Sequence, residues 1–270
     1  MERIGFIGLG NMGKPIAENL ARAGFPMTVL DLNPTPVDDL IALGATAATS
    51  PRKIAEASDI ICSVVMNDRQ THDVFFGDSG VLAGAEPGSL ILIHSTISQE
   101  MCKTLGEAAL DKGIHILDAA VSGAEAKAKK GKLTVLVGGD ADQVERAKPI
   151  FNVIGAQTFH VGNLGMGQAA KVCNNLLCLV NVQVVEEALD LARKAGIDED
   201  VMRDIVLCSS GNSWSHENIY SMRELGNIHT GGNLDMSIFG RKDISLASKL
   251  AARVGALVPI TDFIFDRMKK

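Results

Sequence analysis

The 270-residue chain lacks the cysteine pattern of a disulfide scaffold. Its five cysteines (Cys62, Cys102, Cys173, Cys178, Cys208) are an odd number and form no Cys-x-x-Cys pair. That usage points to reduced thiols and a cytoplasmic protein. The six histidines are scattered without ligand spacing, so no metal is expected. Basic charge is not in excess: 26 Lys and Arg stand against 32 Asp and Glu, for a net charge of −6. That balance argues against a nucleic-acid partner. No run of 18 residues is free of polar groups, and the longest apolar stretch, 172–185, contains Asn174, Asn175, Asn181 and Gln183. No membrane span or membrane partner is expected from it. The first ten residues, MERIGFIGLG, lack the basic-then-apolar order of a signal peptide. Internal repeats and low-complexity linkers are also missing.

What remains is an ordinary globular composition, 46% hydrophobic and 21% charged, on a chain long enough for one large domain or two. Short apolar runs stand at 4–10, 27–31, 60–65, 89–94, 114–119, 132–139 and 157–162. Stretches with helical spacing separate them. This alternation predicts βαβ units around a parallel sheet covered on both faces. After about residue 163 no further strand is expected. Residues 167–195 read as one helix, roughly 40 Å long at 1.5 Å per residue, with Gly196 as its C-cap residue. Helical stretches follow at 198–208, 213–225 and 241–256, and then from 259 onward. The expected fold is therefore a Rossmann-type, doubly wound, mostly parallel sheet over 1–162, followed by an all-helical domain over 163–270.

The first strand runs into Gly8-Leu9-Gly10-Asn11-Met12-Gly13. In a G-x-G-x-x-G turn the first glycine makes the tight bend. The second lets a pyrophosphate approach the backbone, and the third lets helix and strand pack closely. The helix that follows offers unpaired N–H groups to the phosphates. Asp31, 18 positions after Gly13, ends the second strand where a carboxylate meets the ribose hydroxyls. That carboxylate repels a 2′-phosphate, and residues 32–38 contain no Arg or Lys to offset the repulsion. The expected cofactor is NAD rather than NADP.

Four stretches taken in order resemble the β-hydroxyacid dehydrogenases, the family of 3-hydroxyisobutyrate dehydrogenase. They are the turn from Gly5 to Gly13, then Asp118-Ala119-Ala120-Val121-Ser122-Gly123. Gly165-Met166-Gly167 with Lys171 and Asn175 comes third, and Lys242-Asp243 fourth. The resemblance covers nearly the whole chain. It implies that Lys171 is the general acid/base, that Ser122 and Gly123 bind the substrate carboxylate, and that Asn175 orients the substrate. It also implies that Met66, Asn67, Thr96 and Lys242 contact the cofactor. The residues suit those roles. Lys171 and Asn175, at i and i+4, share one helical face. A free lysine has a pKa near 10.4, too high for proton uptake at neutral pH, and apolar surroundings or a neighbouring cation such as Lys242 would bring it down.

A finer resemblance, to the L-threonate dehydrogenase branch, is carried by Asp31-Leu32-Asn33-Pro34, the run 64–77, the segment from Gly211 to Asn218, and Ile238-Phe239. It implies oxidation of a four-carbon polyhydroxy acid, with Asn212 and Ser213 at the substrate. His216 and Asn218 complete a polar set suited to a polyol, which leaves such groups unpaired when replaced by a methyl-bearing acid. The sequence departs from the family pattern at Ala120, where proline is usual, and at Ala124, where glycine is usual. It departs again at Met66, at the two-residue spacer Gly240-Arg241, and in stopping at Lys270, about one helix short of relatives. The alternatives are a reductase of a short semialdehyde acid and a catalytically inactive NAD-binding relative. The apolar long helix and the resemblance both imply a homodimer or homotetramer.

Overall fold

The structure, a computed structural model, describes residues 1–230 and 236–267, and side chains for 1–224 and 240–267. The chain divides into two compact units, residues 1–171 and 172–270.

The first unit is built on eight strands: β1 (Ile4–Ile7), β2 (Met27–Leu30), β3 (Thr46–Ala47), β4 (Ile60–Ser63), β5 (Leu90–Ile93), β6 (His115–Ser122), β7 (Leu133–Gly138) and β8 (Gly155–Gly162). They form one sheet in the order β3-β2-β1-β4-β5-β6-β7-β8. Every neighbouring pair is parallel except β6 and β7, which are antiparallel. Seven strands coincide with the apolar runs of the sequence. The eighth, β3, is two exposed residues on the sheet edge and has no apolar run to announce it.

Side chains alternate across a strand, so an all-apolar strand must be covered on both sides. In β5, Leu90 and Leu92 enter one apolar core while Ile91 and Ile93 enter another. In β1, Ile4 and Phe6 join the first core and Ile7 the second. Fully burying one such side chain contributes about 1.5–3 kcal/mol, so β5 alone supplies roughly 6–12 kcal/mol of gross stabilisation. Side-chain caps start the connecting helices. Ser50 accepts from the Lys53 N–H, Asn67 from Gln70, and Ser98 from Met101, each satisfying a donor that the helix itself leaves unpaired.

A helix over Met166–Lys194 starts in the first unit and continues into the second. It ends before Gly196, which adopts φ +90°, a conformation glycine enters without a Cβ penalty. The second unit continues with helices Glu199–Leu207, Trp214–Glu217, Ile219–Thr230, Met236–Val254 and Pro259–Arg267. The sequence predicts one helix over 213–225, but the structure breaks it at Asn218, whose side-chain amide donates back to the Trp214 carbonyl. Arg223 ties the long helix to its neighbours through a two-pronged bond to Glu186 (2.8 and 2.7 Å) and one to Glu199 at 2.5 Å.

Only part of the long helix is covered. Val182, Val185 and Leu189 are buried against Ile219 and Met222. Leu177, Val184 and Leu191 are 63, 55 and 70% exposed. Their seven-residue spacing puts them in one stripe along the helix. By length and composition this helix could also cross a membrane. A helix of a soluble protein passes the same test, and the amides along it do not suit a bilayer.

Candidate functional site

In a parallel sheet, ligands are met at the carboxyl ends of the strands. Five adjacent strands carry sequence-predicted site residues at that edge: Asp31 after β2, the glycine turn after β1, Met66 and Asn67 after β4, Thr96 after β5, and Ser122-Gly123 at the end of β6. At about 4.8 Å between neighbouring strands, the row spans roughly 20 Å.

The three glycines of the turn have different reasons for being there. Gly8 has φ +91°, and a Cβ on it would collide with the Val64 carbonyl. A Cβ on Gly13 would collide with the Gly8 carbonyl. Gly10 meets nothing within 4 Å, so no packing inside the protein asks for glycine there. An open Cα beside uncapped helix N–H groups is what a diphosphate needs in order to approach the backbone. The helix Gly13–Arg22 has no side-chain cap and no acidic residue in its first turn. The chain's own residues therefore fit a dinucleotide.

Asp31 joins this turn to the next loop. Its Oδ2 accepts from the Leu9 N–H at 2.5 Å and its Oδ1 from the Asn33 N–H at 2.7 Å. Beside it lies a cleft of about 370 Å³ lined by Gly10, Asn11, Lys14, Asn33, Thr35 and Lys129, among others. Sequence reasoning missed the two lysines, because only folding brings them into one cleft with the glycine turn. Both are already paired, Lys14 with Asp39 at 2.5 Å and Lys129 with Glu125 at 2.6 Å.

After β4, Met66 is exposed, while Asn67 caps the next helix through the Gln70 N–H at 3.0 Å. After β5, Thr96 is half-buried between two pinned neighbours. The Ser95 hydroxyl accepts from the Val65 N–H at 2.7 Å, and the Ile97 N–H donates to the Gln168 side chain at 3.0 Å. His94 donates through Nδ1 to the Ala119 carbonyl at 2.8 Å, and burial pushes its pKa down to about 4. After β6, Gly123 has φ +138° and Ala124 φ +56°. Ala124 is the one non-glycine residue with positive φ among the described residues, and it stands where the family pattern has glycine.

Lys171 lies in the second turn of the long helix and is 9% exposed. The start of that helix is held by Asp118 of β6. The Asp118 carboxylate accepts from the Gly165 N–H at 2.7 Å and from the Gln168 N–H at 2.6 Å. Burial pushes the Asp118 pKa up to about 6, against the opposing pull of these backbone donors.

In the second unit, Asn175 donates to Asp243 Oδ2 at 2.8 Å, and Lys242 Nζ lies 2.9 Å from Asp243 Oδ1. Asp243 therefore brings together two predicted residues and is itself a site residue the sequence reading left without a role. The polar set near Trp214 is engaged locally. Ser213 accepts from the His216 N–H, and Asn212 donates to Glu217 at 2.9 Å and lies 3.2 Å from His216 Nδ1. Asn218 bonds to the Trp214 carbonyl. The side chains of Ile238 and Phe239 lie outside the described residues.

A doubly wound sheet with an open glycine at a bare helix start defines a dinucleotide-dependent enzyme. Residues 3–162 match the family model for the NAD binding domain of 6-phosphogluconate dehydrogenase. Residues 165–270 match that for the NAD-binding region of NADP-dependent 3-hydroxyisobutyrate dehydrogenase. An NAD-dependent L-serine dehydrogenase of Pseudomonas aeruginosa is 37% identical, over 96% of this chain and 89% of its own. An L-threonate dehydrogenase of Cupriavidus necator is 34% identical, over 80% and 73% respectively. The solved structure of a 3-hydroxyisobutyrate dehydrogenase from Salmonella typhimurium superposes with a TM-score of 0.85 at 31% identity, covering 99% of this chain and 93% of that one. The chain belongs to the β-hydroxyacid dehydrogenase family. It is an oxidoreductase of hydroxy acids with NAD as its cofactor.

Proposed function

We propose that this enzyme oxidises a small polyhydroxy acid of the L-threonate type, with Lys171 as general base. The observation that carries the general-base reading is a lysine only 9% exposed in a helix whose start is anchored to β6, the strand that ends in Ser122; the choice of acid rests on the resemblance to the L-threonate dehydrogenases. Bound NAD supplies the acceptor for the hydride. As the carbon–hydrogen bond breaks with its electron pair, the neutral Lys171 amine takes the hydroxyl proton and a carbonyl forms. In the reverse direction the protonated amine returns that proton. Ser122 and the Gly123 backbone hold the carboxylate. Asn175, one turn beyond Lys171, orients the hydroxyl, and Asp243 fixes its amide.

On the cofactor side, the Gly8–Gly13 turn receives the diphosphate, and Asp31 selects NAD over NADP. Both lysines of the neighbouring cleft are committed to carboxylates, which leaves little positive charge for a 2′-phosphate. Met66, Asn67, Thr96 and Lys242 complete the cofactor contacts. The exposed Leu177-Val184-Leu191 stripe supports assembly into a homodimer or homotetramer.

A second reading, oxidation of L-serine or a similarly short hydroxy acid, is favoured by one observation. Asn212, Ser213 and Asn218 are spent on local bonds, and a substrate with one hydroxyl asks less of them. The test is a panel of L-threonate, L-serine and 3-hydroxyisobutyrate followed at 340 nm with NAD. Highest kcat/KM on L-threonate is expected, and highest on L-serine selects the second reading. Lys171→Ala should lower kcat by about 10²–10⁴ with NAD affinity kept. Near-normal turnover would remove the lysine from the mechanism.

A further inference from the structure

We propose that Gln168 and Asp118 are positioning residues that set the place of the Lys171 amine. The proposal rests on the reading of Lys171 as general base. A lysine side chain has four rotatable carbon–carbon bonds, so where its amine can dwell depends on how firmly the backbone beneath it is held. Lys171 stands three residues after Gln168, on the next turn of the same helix. The first turn of any helix has N–H groups with no partner inside it. Here the Asp118 carboxylate, on β6, takes two of the N–H groups around the start, those of Gly165 and Gln168. Asp118 is four residues before Ser122 on one continuous strand. The strand that ends in the carboxylate-binding turn therefore also anchors the start of the lysine's helix.

The Gln168 side chain makes the second attachment, to the exit of β5. Its Oε1 accepts from the Ile97 N–H at 3.0 Å, and its Nε2 donates to the Ser95 carbonyl at 2.7 Å. Those two residues flank Thr96. One glutamine thus holds the loop of a cofactor residue with its side chain and the Asp118 carboxylate with its backbone.

The arrangement is buried and tightly packed. Gln168, Asp118, Ser95 and Ile97 are all buried. A Cβ on Gly138 or Gly167 would run into the Asp118 carboxylate and the backbone around it, so both positions admit only glycine without a shift. The Gln168 amide is bonded at both ends and the residue is 0% exposed, so it is not placed to touch substrate. It acts through what it holds. Hydrogen bonds in such surroundings are stronger than in water and specify one arrangement. Displacing a catalytic group by about 1 Å costs on the order of 100-fold in rate.

The experiment is a double-variant cycle on the full chain, with the best acid of the panel above. Gln168→Met keeps the length of the side chain and removes both amide bonds. The expected result, at saturating NAD, is a kcat lowered about 10–100-fold, with KM for the acid within about threefold of the parent. The variant Gln168→Met/Lys171→Ala should then be no slower than Lys171→Ala alone, because a positioning effect vanishes once the positioned group is gone. A kcat for Gln168→Met within about threefold of the parent overturns the proposal. So does a double variant slower than Lys171→Ala by the whole Gln168→Met factor. Near-normal turnover of Lys171→Ala is a different failure, that of the general-base reading itself. Should Gln168→Met not fold, Gln168→Asn keeps a neutral amide on a stem one methylene shorter, which cannot make both bonds at once. Its kcat is expected to fall by a smaller factor, about 3–10-fold, and unchanged kcat again overturns the proposal.

Discussion

Asp118 makes a prediction whose sign follows from burial. Its carboxyl is raised from 3.8 to about 6 in the folded protein, so the folded state holds this proton more tightly than the unfolded chain. Its contribution to stability is fully present below about pH 4 and is lost as the pH rises through about 6. Two units at 1.36 kcal/mol each give about 3 kcal/mol in all. Linkage places about 2 of these between pH 4.5 and 7.5. Other carboxylates shift the opposite way: the salt-bridged Asp59 and Asp190 are held below the usual range by Arg3 and by Lys194 with Arg193. The raw curve of the protein therefore mixes several groups. Asp118→Asn removes this one titration, and the useful quantity is the difference in melting temperature between parent and variant at each pH. At roughly 2–4 °C per kcal/mol for a chain of this size, that difference should move by about 4–8 °C in favour of the variant from pH 4.5 to 7.5. A difference that stays flat would show that the backbone donors balance burial, and one that moves in favour of the parent that they outweigh it; either would refute the reasoning.

Three further outcomes are expected. With NAD and NADP compared at fixed substrate, kcat/KM should favour NAD by about 5–30-fold, since an uncompensated carboxylate beside a 2′-phosphate costs on the order of 1–2 kcal/mol. Equal values would remove Asp31 from cofactor choice. Ala124→Gly should raise the unfolding free energy by up to about 1 kcal/mol, because a non-glycine residue at φ +56° carries a penalty of about 1–2 kcal/mol, offset in part by the greater chain entropy of glycine. An unchanged or lower melting temperature would show that the turn is unstrained. Sedimentation should give a dimer or tetramer that Leu191→Glu drives toward monomer, and an active monomeric parent would contradict the reading of the exposed Leu177-Val184-Leu191 stripe as a subunit interface.

The strands were legible because a sheet covered on both faces needs uninterrupted apolar runs, and 60–63 and 90–93 display them openly. The glycine turn was legible because its constraint is local. β3 was not, since two exposed residues on an edge bury nothing and leave no pattern. The break at Asn218 was hidden for a related reason: Asn218 is compatible with helix, and only its bond back to Trp214 shows the interruption. Partnerships between distant residues were the least readable. Asp118 was visible as part of a motif, yet its role depends on N–H groups 47 and 50 residues away. The Gln168 side chain looks like any polar residue near a helix start until Ser95 and Ile97 are seen beside it. Asp243 likewise acquires meaning only from Asn175, 68 positions earlier. Near Trp214 the residues read as a polyol-binding set also bond to one another, which the sequence alone does not display.

The reversal of direction between β6 and β7 has a consequence for how this scaffold diversifies. Outgoing chain ends occur on the binding edge as far as β6, and the next two strands arrive there instead of leaving. The row therefore has a terminus, and the turn proposed to recognise the acid occupies it. On the proposed assignment of the site, changes of taste for one acid or another can accumulate at that last berth while the nucleotide's moorings along β2, β1, β4 and β5 stay as they are. One common hull can in this way carry many different cargoes.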